Sequence, residues 1–155
     1  MTPLEPIRPE LSRQIKVLRL SRQRMSLMSV ATHHLPAAAV AAAVRAAAAP
    51  LDAVGTLADG SVGVISLRAS GTDGGAGVED RFLPRLQASL SHYCRDDGTF
   101  RVWFRSVHRW AAELGTADDI IASLFDAPAR PVRVRQEPAL LTMPFRPLRH
   151  AGYPL

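Results

Sequence analysis

Residues 50–67, PLDAVGTLADGSVGVISL, decide how the rest of this chain is read. Two short apolar runs flank Asp59-Gly60, a pair that tolerates positive φ and so favours a two-residue hairpin turn. The second run, SVGVISL, is rich in β-branched residues and is expected to be the most buried strand. Ahead of the hairpin, residues 36–49 are a strong helix former, with Val40 and Val44 one turn apart on the packing side and Pro50 as the stop. Earlier still, RMSLMSVAT is apolar enough for a buried strand. Residues 11–24 read as a lead helix, with Leu11, Ile15 and Leu18 on one face and Arg13, Lys16, Arg19, Arg22 and Arg24 over the rest.

Beyond the hairpin, Val78, Phe82, Leu86, Leu90 and Tyr93 recur at helical spacing, although Pro84 predicts a regular helix only from about Leu83. A turn at Asp97-Gly98 leads into FRVWFRSVHRW, which alternates as a strand. Thr116 and Asp119 are spaced as a capping box opening a last helix that ends near Asp126. GTDGGAG, residues 71–77, is a loop by composition; the Lys-Ser/Thr pair that a phosphate-binding loop requires does not follow it. The order α-βαββαβ-α predicts an α+β fold. Its economical form is a ferredoxin-like βαββαβ sandwich with a lead helix, a C-terminal helix, and both crossover helices on one face of an antiparallel sheet.

Composition sets the limits. The chain has 155 residues, 47% of them hydrophobic, enough for one domain with a core of its own. Nine of the twelve prolines lie at the two ends, so the compact part is expected over 11–127, with a flexible segment at 1–10 and a Pro/Arg-rich tail at 128–155. That tail carries Arg130, Arg133, Arg135, Arg146 and Arg149 together with Leu140, Leu141, Met143 and Phe145, and is expected to pack back on the domain or dock on a partner. The alanine-rich run is broken by Pro36, Arg45 and Pro50 and falls short of the roughly 20 residues a membrane span needs. The first residues lack the apolar core of a secretory signal, which makes the cytoplasm the expected compartment. Cys94 is the single cysteine, so no internal disulfide or multi-cysteine zinc site forms. A net charge of +5 is compatible with nucleic acid, an anionic membrane or an acidic protein as partner.

In the order of its elements and its apolar pattern, the chain over 11–127 resembles a diverged GGDEF domain, the family that makes cyclic di-GMP from two GTP. The lead helix running into RMSLMSV, the ungapped LDAVGTLADGSVGVISL and the closing TADDIIASLFDAPA carry the resemblance. It implies one metal-binding carboxylate at the end of the first strand, where this chain has Ala31, Thr32 and His33, and the signature itself at Ala58, Asp59, Gly60, Ser61 and Val62. Gly60 and Ser61 thus replace the two acids, and Asp59 falls where a glycine admits nucleotide. Hard Mg²⁺ ions want carboxylate oxygens, which are missing. The product-binding Arg-x-x-Asp falls on Ala49 and Asp52, without its arginine. The segment between first strand and hairpin is also shorter than the family's pair of helices. The expectation is a scaffold without the cyclase chemistry: no enzyme, no cofactor, no GTP or cyclic di-GMP.

Other chemistries are weaker. Neighbouring His33 and His34 point to opposite faces if still on a strand, and His92, His108 and His150 are expected at the surface or in loops. Cys94 reads as a partly buried thiol. The FRVWFRSVHR strand places Arg101, Trp103, Arg105 and Arg109 on one face and Phe100, Val102 and Phe104 on the other. The first face has the composition of a single-strand nucleic-acid binder. The plainer and preferred reading packs Trp103 under the lead helix or the tail, with the arginine stems alongside. Two functions follow: a regulatory or adaptor protein working through protein contacts, self-association included, or a nucleic-acid-binding protein using Arg101, Trp103 and Arg105. A residual nucleotide sensor ranks last.

Overall fold

The computed structural model of the chain describes residues 4–19, 21, 23–68, 74–94 and 98–136. Its elements are α1 (Arg8–Leu18), β1 (Arg24–Ala31), α2 (Ala37–Ala47), β2 (Ala53–Thr56), β3 (Val62–Arg68), α3 (Gly74–Ser91), β4 (Thr99–Trp110), a short 3-10 turn (Ala111–Glu113), α4 (Ala117–Asp126) and β5 (Arg130–Arg135). The fold is α+β, with four helices and an antiparallel sheet in the order β2-β3-β1-β4-β5. β1 is central and pairs Leu27 with Ile65 on one side and with Val107 on the other. Buried on both faces, it sends apolar residues to each of them, Met25 and Leu27 to one and Met28 and Val30 to the other, instead of alternating with polar ones.

Period two then sorts the sheet. Met28, Val30, Val62, Val64, Phe100, Val102 and Phe104 face α2 and α3 and share a core with Val44, Phe82, Leu86 and Leu90. Met25, Leu27, Ile65 and Val107 face the other way, onto Leu11, Ile15 and Leu18 of α1 and Ile120 and Leu124 of α4. Arg8 forks onto Asp118 at 2.7 and 2.8 Å, tying the two outer helices at an exposed site where such a pair is worth little.

Four expectations need correction. First, the sheet has a fifth strand, β5, in what was read as tail. In RPVRVR, Val132 and Val134 alternate with outward residues, and Val134 is fully buried against Phe100. Second, ordered structure starts ahead of residue 11. Ile7 is buried, its N–H donates to the Thr56 carbonyl at 2.9 Å, and the Thr56 N–H donates to the Glu5 carbonyl at 2.9 Å.

Third, α3 runs from Gly74 straight through Pro84. The carbonyl that Pro84 leaves without a donor is that of Asp80, and both residues are exposed, so water can satisfy it. Residues 74–77 therefore open a helix; 71–73 lie outside the described residues. Fourth, the hairpin is not a two-residue turn. The Gly60 N–H donates to the Leu57 carbonyl and the Leu57 N–H to the Ser61 carbonyl, both at 2.9 Å, the pattern of a turn followed by a glycine bulge. Positive φ is needed at Gly60, which sits at +87°.

The capping box stands as expected: Asp119 N–H donates to Thr116 Oγ1 at 3.2 Å and Thr116 N–H to Asp119 Oδ2 at 2.9 Å. Thr116→Ala should cost about 1 kcal/mol. Urea unfolding would read this as a lower midpoint at unchanged slope.

Candidate interaction site

Arg101, Trp103, Arg105 and Arg109 do share one face of β4, the face that also carries Val107. Val107 is buried under the outer helices, and this divides the set. Arg109 lies on the far side of it and donates to the His108 carbonyl at 2.9 Å. Arg101, Trp103 and Arg105 lie on the other side of it; Arg101 and Trp103 are exposed and Arg105 is half-buried. Trp103 is 40% exposed, so it does not pack under the lead helix. The other cover considered for it, the tail over 128–155, contributes Pro131 directly across from it as part of β5, while 137–155 lie outside the described residues.

β5 enlarges this surface with residues that the sequence had assigned elsewhere. Its register puts Arg133 directly across from Arg101, Pro131 across from Trp103 and Arg135 across from Thr99. On the other side, Ala31 and Ser29 of β1 stand opposite Trp103 and Arg105. Small residues there leave the indole standing proud. Among the described residues no acid side chain pairs with Arg101, Arg105, Arg133 or Arg135, and Arg105 Nε is buried without a hydrogen-bond partner.

The loop after β1 closes one side. Thr32 Oγ1 donates to the Arg101 carbonyl at 2.9 Å and accepts from the His34 N–H at 3.2 Å. This folds the loop over the start of β4, where the His34 ring sits 5.7 Å from that of Phe100. The result is a cleft of about 360 Å³ lined by His33, His34, Thr99, Phe100, Arg101, Trp103 and Arg133. Both histidines therefore share a cleft with two arginines: the loop after β1 brings them to Arg101, and the β4–β5 register adds Arg133.

On the opposite face the structure corrects a second expectation. His108 is not a surface residue; it points inward with Ser26 and Ser106. Its Nε2 lies 2.9 Å from Glu79 Oε2 and its Nδ1 2.7 Å from Ser26 Oγ. With the Glu79 carboxylate accepting, Nε2 donates to it, and Nδ1 shares a hydrogen bond with the serine hydroxyl. Ser106 Oγ donates to Glu79 Oε2 and Arg130 Nη2 to Glu79 Oε1, each at 2.5 Å. Burial pushes the Glu79 carboxyl up, but the hydrogen bonds from Ser106 and His108 and the charge of Arg130 outweigh it and hold the group below the usual carboxylate range.

A hydroxyl, an imidazole and a carboxylate in line resemble a nucleophile relay. Ser26, however, is only 2% exposed in the middle of the central strand, where no substrate reaches it. The cluster is a polar clamp joining α3 to β1, β4 and β5. Period two had Ser106 and His108 on the inward side of Phe104, which was the available signal; Glu79 gave none, because an acid opening a helix reads as solvated.

The residues standing at the signature positions of the resembled family serve the backbone. Asp59 Oδ1 accepts from the Ser61 N–H at 3.0 Å and its hydroxyl at 2.5 Å. Asp52 Oδ2 accepts from the Ala49 N–H at 2.9 Å. Burial pushes the Cys94 thiol up, away from thiolate reactivity. Among the described residues no three His, Cys, Asp or Glu side chains come together to hold a metal ion, and no helix is long and apolar enough to cross a membrane. Set against protein-family models, curated proteins and solved structures, the chain matches none of them.

Proposed function

We propose that this protein is a GGDEF-like domain of ferredoxin-like build that keeps the scaffold without the cyclase chemistry and acts as a small regulatory or adaptor protein. Support for the fold assignment comes from the segment β1-α2-β2-β3-α3-β4. Its four strands lie in the spatial order 2-3-1-4, with β5 added beyond β4. Support for the missing chemistry comes from Asp59 and Asp52, whose carboxylates are turned back onto their own turns.

The observation that carries the function is Trp103, exposed between arginines that have no acid partner among the described residues. One aromatic anchor bracketed by arginines is the composition of a protein-contact hot spot, and the charge selects an acidic partner. The nucleic-acid alternative draws on the same cations, strung along two adjacent strands. Single-strand binders stack successive bases on several aromatics, whereas Trp103 is the exposed aromatic on this face among the described residues.

The test compares proteins captured from the native cells by the wild type and by Arg101→Glu/Trp103→Ala, after nuclease treatment. A defined partner retained by the wild type and reduced at least tenfold with the variant is the expected result. Capture that vanishes with nuclease, or in-vitro binding to single strands whose affinity falls steeply with salt, would transfer the assignment to nucleic acid.

A further inference from the structure

We infer that the cleft between Arg101 and Arg133 is a binding site for a phosphomonoester dianion attached to an apolar or aromatic body. This rests on the reading of the Trp103 face as a contact surface and specifies what that surface recognises. The starting point is an electrostatic conflict. Arg101 and Arg133 are direct cross-strand partners, and directly opposite residues hold their Cβ atoms about 5 Å apart, where like charges are destabilising. Neither has an acid partner among the described residues. Three other exposed arginines do have acid partners, Arg8 with Asp118, Arg13 with Glu10 and Arg130 with Glu79, whereas Arg101 and Arg133 lack one among the described residues although they stand directly opposite each other. This pair is left facing itself across one cleft of about 360 Å³.

The geometry selects the anion. Two guanidinium groups that line one cleft from adjacent strands can present donors to several oxygens of one tetrahedral group, and two full positive charges favour a dianion over a monoanion. Thr99 and the imidazoles of His33 and His34 line the same space and supply further hydrogen-bonding groups. The apolar part of the lining is Trp103 and Phe100, and on β5 Pro131 stands directly across from Trp103. Bare phosphate would leave that wall unused. A ring carried on the phosphate would stack on the indole and fill the cleft.

The ester could belong to a phosphorylated side chain of a protein or to a free small molecule; both share this chemistry, and the experiment separates them. Calorimetry on the full chain would compare phenyl phosphate, phenyl sulfate and inorganic phosphate, together with a peptide carrying phosphotyrosine among acidic residues. Phenyl phosphate is expected to bind at least tenfold tighter than the sulfate monoanion and tighter than bare phosphate. Arg101→Ala and Arg133→Ala should each weaken it at least tenfold, and Arg135→Ala, which stands outside the cleft lining, less than threefold. Because Arg101 and Arg133 are exposed, both variants should melt no lower than the wild type.

A peptide that binds tenfold tighter than phenyl phosphate, with the same arginine dependence, supports the dianion site and identifies its source as a protein. Equal binding of the two keeps the dianion site, assigns it to a small ester and removes the cleft from the protein-contact reading. Binding that is absent, equal for the sulfate, or unchanged in both arginine variants overturns the inference. In that last case the capture comparison still tests the adaptor reading by itself.

Discussion

Gly55→Ala should lower the unfolding free energy by about 3 kcal/mol, at the upper end of what overpacking costs. A methyl group there would stand 2.7 Å from the Glu5 carbonyl oxygen and 2.8 Å from Ile7 Cα. Those are backbone atoms and cannot swing aside. The segment from Glu5 to Ile7 would have to lift off β2, breaking its two hydrogen bonds to Thr56 and drawing Ile7 out of the core. Gly63, the cross-strand partner of Gly55, provides the control. A methyl at Gly63 first meets the tips of flexible side chains, Leu57 Cδ1 at 3.1 Å and Ile7 Cδ1 at 3.3 Å, so Gly63→Ala should cost only about 1 kcal/mol. Urea unfolding of both variants measures this. Equal losses would mean that the close approach of the N-terminal segment is not what Gly55 provides.

Glu79→Ala should be comparably damaging, again about 3 kcal/mol, because it leaves three donors without their acceptor in a half-buried site. The pH dependence has a definite sign. Since the folded carboxyl is held below its ordinary value of 4.5, its contribution is complete above that value and is lost as pH falls through the folded one. The stability gap between wild type and Glu79→Gln should therefore be widest near neutrality and shrink below about pH 4.5. Urea midpoints taken near pH 7 and near pH 3 would show it; a gap of the same size at both would rule out the ionised carboxylate as the source.

Much of this architecture was legible, and the reasons are local. The β-branched run after Gly60, the Val40/Val44 spacing and the Thr116/Asp119 cap each encode their element within a few residues, and each forms where expected. The failures come from weighing single residues against context. Pro84 predicts a regular helix only from about Leu83, but on the solvent face a missing hydrogen bond is cheap and the helix begins at Gly74. The three prolines of 128–138 masked the alternation of Val132 and Val134. That omission hid half of the candidate site, because Arg133 and Arg135 reach Arg101 and Trp103 only through the pairing of β5 with β4. His108 was misplaced for a related reason: its partners Ser26 and Glu79 are 82 and 29 residues away, and only the fold brings them within reach. Arg101, Trp103 and Arg105 were legible as a face because a strand's period is visible in its own residues.

The two outermost strands have one more consequence. On β5 the Arg133 carbonyl is already taken by Gln87 Nε2 at 2.9 Å, and Pro131, two residues earlier and therefore aimed the same way, has no N–H to offer. On β2 the amide and carbonyl of Thr56 are occupied by Glu5 and Ile7. Among the described residues an incoming strand thus finds these positions on both flanks of the sheet already taken, and the like charges of β5 would repel a second copy laid beside it. The molecule is guarded against runaway polymerisation through its sheet, so any assembly it enters must be built on its broad faces, where side chains rather than main chain choose the partner.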